Sequence, residues 1–238
     1  MTQILSRPAR PNEIIGTAHC MKAVCLTILA AASFTHQLYA QEVLFQDDFN
    51  HMLGEGWFWV REHREAWRVT DHGLEVRVEP GNMWGPQNDA RNLLIRPAPS
   101  TTNAEIEFAV TIENQPTNQY EQTDLVWYYD DSNMVKLGQE LVDGKLSVVM
   151  GREEKDQCRT IAIIPLASNS LRLRLFAKDR HIRGQFRTPD ASEWHDVGEC
   201  TMPAPTNVAP KISLQFYQGS EKAEHWARVT EFRLVKRN

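Results

Sequence analysis

Cysteine, long apolar runs and amphipathic helical patterns are all scarce in this chain. Four of its 238 residues are cysteine, and none of the six histidines beyond residue 40 lies two or four residues from another. A compact metal site needs such ligands at close spacing. No apolar run beyond residue 40 approaches the roughly 20 residues of a membrane span. The sequence therefore excludes a zinc-ribbon protein and a helical membrane protein in this region.

Positive charge is also in short supply. Against 26 lysines and arginines stand 31 acidic residues, which gives a formal net charge of −5. Nucleic-acid readers usually carry a basic surface. The composition therefore predicts a protein that does not bind nucleic acid.

The first 40 residues have the parts of a secretory signal peptide. Lys22 precedes a short apolar stretch at 23–34, and a small residue, Ala40, ends the segment. We predict an N-terminal extension and signal peptide at 1–40 and export of residues 41–238, to the periplasm or the medium of a bacterium, with no membrane attachment after cleavage. The true start, Met1 or Met21, stays open, and a buried N-terminal helix is the alternative.

Two cysteines, Cys158 and Cys200, lie beyond that segment. Exported proteins occupy oxidising compartments, where disulfides persist. The pair could form one, or the two could remain separate thiols, and the sequence leaves both open.

Beyond Val43 the chain consists of short strand-like segments separated by turns. Apolar and polar residues alternate with period two in Gly73–Glu79, Glu105–Phe108 and Leu171–Leu175, which indicates strands with one face in a core. Many short strands at even spacing predict an all-β jelly-roll sandwich of two antiparallel sheets. Residues 41–238 form one predicted domain, and we expect a monomer.

One predicted hairpin turns at Asp130-Asp131-Ser132-Asn133. A regular turn places Trp127 opposite Lys136 and Tyr128 opposite Val135, although a β-bulge would shift this register. One face is then apolar, and the other mixes aromatic and charged residues: Glu121, Thr123, Leu125, Trp127, Tyr129, Met134, Lys136, Gly138 and Glu140. Flat aromatic rings can cover the C–H face of a sugar while polar groups bind its hydroxyls. Alternatively, Trp127 packs beneath a loop with Lys136 lying over it.

Trp84 is a second candidate, because it lies in the turn-rich segment 81–88 just before a strand. Such a tryptophan is either a binding platform or an anchor in the core, and the sequence does not choose between them.

The segments GNMWGPQNDARNLLIRPAP and AEIEFAVTIENQPTNQYEQTDLVWYYDDSNMVKLGQE resemble bacterial domains of the concanavalin A-like lectin/glucanase superfamily. That group is related to the C-terminal domain of family-43 β-xylosidases. Its motif positions here are Trp84, Asn88, Asn92-Leu93-Leu94, Glu121-Gln122, Asp130-Asp131 and Val135-Lys136-Leu137-Gly138. Thr123-Asp124 departs from the Ala-Gly usual in the group, which puts a shared ligand at that strand in doubt. The resemblance implies a sandwich fold, and function does not follow from the fold alone.

Catalysis finds little support in the sequence. The E-x-D-x-x-E strand usual in β-glucanases of this fold does not occur, although Glu121 and Glu140 share the predicted polar face and could act as a carboxylate pair. We assign no catalytic residue and no metal ligand and predict no cofactor. A structural calcium ion at Asp47-Asp48 or Asp130-Asp131 is left open.

These observations favour a secreted, non-catalytic, lectin-like domain that binds a polysaccharide or glycan. The predicted carbohydrate-binding residues are Trp84, Asn88, Glu121, Trp127, Tyr129, Lys136 and Glu140. A hydrolase with carboxylates from separate strands and a protein-interaction module are the alternatives.

Overall fold

The computed structural model describes residues 41–204 and 207–237. The predicted signal peptide at 1–40 lies outside the described residues. Within them, no helix has the length and apolar character needed to cross a membrane.

The described residues form fifteen strands and one turn of 3-10 helix, Arg64–Ala66. The strands in chain order are β1 (Gln41–Asp47), β2 (Phe58–Val60), β3 (Trp67–Thr70), β4 (Gly73–Arg77), β5 (Leu93–Pro97), β6 (Glu105–Glu113), β7 (Gln122–Asp130), β8 (Asn133–Val142), β9 (Lys145–Glu154), β10 (Gln157–Pro165), β11 (Ser170–Lys178), β12 (His181–Arg187), β13 (His195–Thr201), β14 (Lys211–Tyr217) and β15 (Trp226–Arg237). The all-β prediction is confirmed.

These strands make two antiparallel sheets. The eight-stranded sheet has the order β13-β12-β11-β6-β15-β4-β3, with β1 also paired to β15, and the seven-stranded sheet has the order β10-β9-β8-β7-β14-β5-β2. Neighbours such as β6 and β15 are far apart in sequence, as in jelly-roll sandwiches. The concanavalin A-like sandwich predicted from the sequence is the fold observed.

The main core lies between the two sheets. Strand alternation sends Phe108, Val110 and Ile112 of β6 inward, where they meet residues such as Leu125 and Leu137 of the seven-stranded sheet. Burial of this apolar surface, worth about 25 cal/mol per Å², supplies the main stabilisation of the fold.

A second, smaller core covers part of the outer face of the seven-stranded sheet. The segment 79–92, which joins β4 to β5, folds over this face and buries Met83 and Ala90 against it. Their partners on the strands are Leu93, Ile95, Val126, Tyr128, Met134 and Tyr217. The seven-stranded sheet is therefore apolar on both faces along part of its width, and the loop that carries Trp84 is packed against it.

The two cysteines lie in different sheets, Cys158 on β10 and Cys200 on β13, and both are free thiols. The disulfide left open by the sequence is not formed in this structure. The sandwich is thus held together by packing between its sheets.

Candidate functional site

The β7–β8 hairpin contains a bulge that the sequence did not reveal. Tyr128 pairs with Met134 and Asp130 with Asn133, so Tyr129 is an extra residue without a partner on β8. A slip of one residue moves every side chain to the opposite face of a strand. Trp127 therefore pairs with Val135 instead of Lys136. The predicted register of this hairpin was wrong.

Trp127 consequently lies in the main core and not on a ligand-binding face. Its side chain is 1% exposed, and its ring centroid lies 6.0 Å from that of Phe108 in the other sheet. Tyr129 points the same way: its ring meets Trp127 edge-on at 6.4 Å, and its hydroxyl contacts Met202. The predicted apolar face of β7, with Val126 and Tyr128, is instead the outer one.

Glu121 also faces away from the outer face of the seven-stranded sheet. Its Oε1 lies 2.6 Å from Nδ1 of His225, just before β15, and its Oε2 accepts backbone N–H bonds from Thr117 and Asn118. Fully buried, it ties the loop before β7 to the other sheet. Glu121 and Glu140 therefore do not share a face, so the hypothesis that they form a catalytic carboxylate pair was wrong.

On β8 the predicted face is correct, and it carries a buried charged group. Lys136 is 2% exposed. Its Nζ donates hydrogen bonds to Oε1 of Gln122 and, over 3.1 Å, to Oε2 of Glu140. Because a buried charge is costly unless it is paired and hydrogen-bonded, these partners fix the ammonium group in place.

Asp124 lies beside this pair on the same outer face, directly opposite Gly138. A Cβ at position 138 would collide with the Asp124 carboxylate, so a glycine is required there. Burial raises the pKa of Asp124 to about 6; the charge of Lys136 opposes this shift and that of Glu140 adds to it. Among the described residues neither oxygen of Asp124 has a hydrogen-bond partner with good geometry, although the Tyr217 hydroxyl is near.

Trp84 lies over these polar groups. Its ring centroid is 4.8 Å from Nζ of Lys136, a cation–π distance. Gly151 leaves room for the indole, because a Cβ there would lie 2.5 Å from ring atom Cη2 of Trp84. The loop is fastened by the backbone N–H of Gly85, which donates to the buried carboxylate of Glu153 over 3.2 Å. Burial raises the pKa of Glu153 to about 7, although this hydrogen bond opposes the shift.

Between the Trp84 loop and the outer face of the seven-stranded sheet lies a cavity of about 420 Å³, which we call the polar cavity. It is lined by Asn82, Trp84, Tyr120, Gln122, Lys136, Glu140, Val142, Val149, Thr160, Ile163 and Gln218. Trp84 is half-buried, while Tyr120 is 48% exposed. The cavity thus combines aromatic and apolar walls with a charged, hydrogen-bonded group.

Three of the seven predicted binding residues line the polar cavity: Trp84, Lys136 and Glu140. Asn88 lies on the Trp84 loop, outside the lining. Sequence reasoning missed Gln122 and Tyr120. The Gln122–Asp124 spacing of two was a usable signal, because it places two polar residues on one face of a strand.

Two of the four aspartates considered for calcium, Asp47 and Asp131, are engaged with protein donors. Asp47 accepts from the backbone N–H groups of Phe49 and Gly54 and from the Trp57 indole. Asp131 pairs with Arg61 and accepts from Tyr128. Among the described residues no group of three or more His, Cys, Asp or Glu side chains could hold a metal ion. The carboxylates of Asp47 and Asp131 are therefore already occupied by protein donors.

Residues 46–231 match the family model described as the β-xylosidase C-terminal concanavalin A-like domain. The match covers nearly all of the described sandwich. A search of curated proteins finds no match to the chain.

Solved structures share this fold at low sequence identity. The family-43 protein BlXynB from Bacillus licheniformis is 17% identical with a TM-score of 0.69, over 80% of this chain and 39% of that one. Xylan β-1,4-xylosidase from Bacillus halodurans is 18% identical, also with a TM-score of 0.69, over 79% of this chain and 38% of that one. The match therefore spans well under half of either of those chains.

A functionally unknown protein from Saccharomyces cerevisiae has a TM-score of 0.58 at 14% identity. The match covers 75% of this chain and 95% of that protein. The sandwich thus occurs both as part of long chains and as nearly a whole protein.

Proposed function

Because the chain belongs to the family of β-xylosidase C-terminal concanavalin A-like domains, we propose that it binds carbohydrate, without cutting it, in the polar cavity. The observation that carries this proposal is the pairing of two aromatic residues, Trp84 and Tyr120, with fixed polar groups. An aromatic ring covers the C–H face of a pyranose, and fixed donors and acceptors bind its hydroxyls.

The polar groups are arranged for a neutral sugar. Lys136 is already paired with Glu140 and Gln122, so the two charged residues of the described lining, Lys136 and Glu140, compensate each other. The remaining lone pairs of Glu140 and one amide N–H of Gln122 can bind hydroxyls, because the other N–H of Gln122 is donated to the Tyr120 carbonyl over 2.8 Å. Since these side chains are held by one another, little conformational entropy is lost on binding.

The first ligands to test are xylo-oligosaccharides, because one similar structure is named as a xylan β-1,4-xylosidase and another belongs to family 43. Isothermal titration calorimetry should show binding that Trp84→Ala abolishes and Tyr120→Ala weakens. Trp226→Ala is the matched control, because Trp226 lies on the other sheet and stacks with Arg68. Tyr120 is 48% exposed, so we expect Tyr120→Ala to leave the fold intact.

A broader glycan array covers the case in which xylose is not the sugar. If the folded protein binds none of the neutral glycans on the array, carbohydrate binding in this cavity is refuted. Binding that survives both Trp84→Ala and Tyr120→Ala would place the site elsewhere.

We further propose that the domain acts outside the cytoplasm, after export and removal of residues 1–40. N-terminal sequencing of the protein recovered from its native source checks this. A mature chain beginning at Gln41 supports it, and an intact Met1 or Met21 contradicts it.

A further inference from the structure

The outer face of the eight-stranded sheet carries a second cavity of about 300 Å³. Four arginines line it, two from neighbouring strands β11 and β12 and two from β15, and we call it the arginine cavity. The full lining is Gln41, Glu107, Ala109, Arg172, Arg187, Trp194, Arg233, Val235 and Arg237. One acidic residue therefore faces four arginines, in a chain whose net charge is −5.

The arrangement costs stability in the absence of a ligand. Arg172 lies directly opposite Arg187 in the β11–β12 ladder, and like charges in that position repel each other. Burial lowers the pKa of nearby Arg174 to about 10; Glu107 opposes this shift, and the charges of Arg237, Arg183 and Arg187 strengthen it. A bound anion would relieve this repulsion.

Two of the four lining arginines are uncommitted. Arg172 pairs with Glu231, and Arg237 donates to Glu107 over 2.6 Å. Arg187 and Arg233 have no carboxylate partner among residues 41–204 and 207–237. Arginine presents a fork of N–H donors that matches a carboxylate, so these two groups are free to bind one.

The tryptophan of this cavity stacks with one of its four arginines and with a neighbouring arginine outside the lining. The guanidinium carbons of Arg174 and Arg187 lie 3.8 and 4.9 Å from the ring centroid of Trp194. Stacking restricts the rotamers of these long side chains and keeps the Arg187 donors near the sheet. Trp194 and Val235 also provide apolar surface next to the charged groups.

We propose that the arginine cavity binds an acidic saccharide, with the carboxylate of a uronic acid between Arg187 and Arg233. The carboxylate matches the free guanidinium groups, and the sugar ring matches the apolar surface beside them. Ala109, which lies between Arg174 and Arg233 in the sheet, contributes a short side chain to the lining. This site is separate from the polar cavity, because it lies on the other sheet.

The test titrates the full-length chain with oligogalacturonate, with a neutral xylo-oligosaccharide as the uncharged comparison. We expect oligogalacturonate to bind, with an affinity that falls as salt is raised. The double variant Arg187→Gln/Arg233→Gln should weaken binding at least about tenfold, since each charge-assisted hydrogen bond is strong. Arg228→Gln is the control: it removes one charge on the same strand, but from an ion pair with Glu113 outside the cavity.

Thermal unfolding checks the fold of the double variant, whose melting temperature should equal or exceed that of the wild type. Trp84→Ala should leave oligogalacturonate binding unchanged, which separates this proposal from the one on the polar cavity. The proposal is overturned if oligogalacturonate does not bind, or if Arg228→Gln weakens it equally. Equal affinity for oligothymidylate, or full competition by equimolar inorganic sulfate, would also overturn it, because either shows an anion site that does not select a saccharide.

Discussion

On the outer face of the seven-stranded sheet the Lys136–Glu140 pair is buried, whereas on the eight-stranded sheet two arginines, Arg187 and Arg233, lack a carboxylate partner among the described residues and remain partly in water. Lys136 is enclosed beneath Trp84 with Glu140 beside it, while Arg187 and Arg233 keep free donors at the arginine cavity. A buried charge depends on its partners for stability, and a half-exposed one depends on water. The first face is therefore suited to neutral ligands and the second to anions.

The largest expected effect comes from breaking the buried group. Lys136→Met leaves Glu140 buried without its cation and should destabilise the fold by about 3–5 kcal/mol. Arg233→Met on the other face should change stability by no more than about 0.5 kcal/mol. Urea unfolding of both variants makes the comparison, and similar losses for the two would show that the faces do not differ in this way.

Stability should fall as the pH rises from 4 to 8. The folded-state pKa of Asp124, about 6, lies above its ordinary value, so the folded protein binds the proton more tightly than the unfolded chain. This stabilisation is fully present at a pH below the pKa that Asp124 has in the unfolded chain. About 3 kcal/mol of it is lost once the pH rises above the folded-state pKa of Asp124.

Asp124→Asn removes this titration and should flatten the pH dependence of urea unfolding. Glu153, whose pKa is raised to about 7, acts in the same direction, so Asp124→Asn/Glu153→Gln should be flatter still. An unchanged slope in both variants would contradict the assignment. The arginine cavity contributes nothing in this range, because arginine stays charged.

A smaller effect is expected where Trp84 meets the sheet. Gly151→Ala brings a Cβ against the indole ring and should cost about 1–3 kcal/mol. A double-mutant cycle makes this specific: in a Trp84→Ala background the cost of Gly151→Ala should vanish. If it persists, the strain lies in the backbone of β9 and not in the contact with Trp84.

The smallest effect is expected for reductant. Since Cys158 and Cys200 are free and belong to different sheets, dithiothreitol should leave the melting temperature unchanged. A clear drop would reveal a disulfide between the sheets in solution.

The sequence predicted the sandwich well, because strand alternation and turn residues are local signals. Asp143-Gly144 joins β8 to β9 with φ angles of 50° and 72°, the geometry of a type I′ hairpin turn. The alternation in Glu105–Phe108 and Leu171–Leu175 correctly identified parts of β6 and β11. Such patterns depend on residues close in sequence, so one chain is enough to find them.

The site was predicted only in part, because its assembly depends on non-local events. Lys136 and Glu140 were placed correctly along β8. On β7, however, the unpaired residue Tyr129 shifts the register. Trp127 therefore lies in the core, and Gln122 and Asp124 take its place on the outer face. No residue pattern near Tyr129 marks that bulge. The arginine cavity escaped notice for a similar reason. Arg187 on β12 and Arg233 on β15 line one cavity only because β12 pairs with β11, β11 with β6 and β6 with β15.

The extra residue at Tyr129 bears on how this chain should be aligned with its relatives. In a relative that lacks the bulge, the gap belongs at position 129, inside the strand, and not in the loop that precedes β7. A gap placed in that loop would compare each residue of 122–128 with a neighbour that faces the opposite side of the sheet. Core positions of β7 would then appear variable, and its outer-face positions would appear apolar.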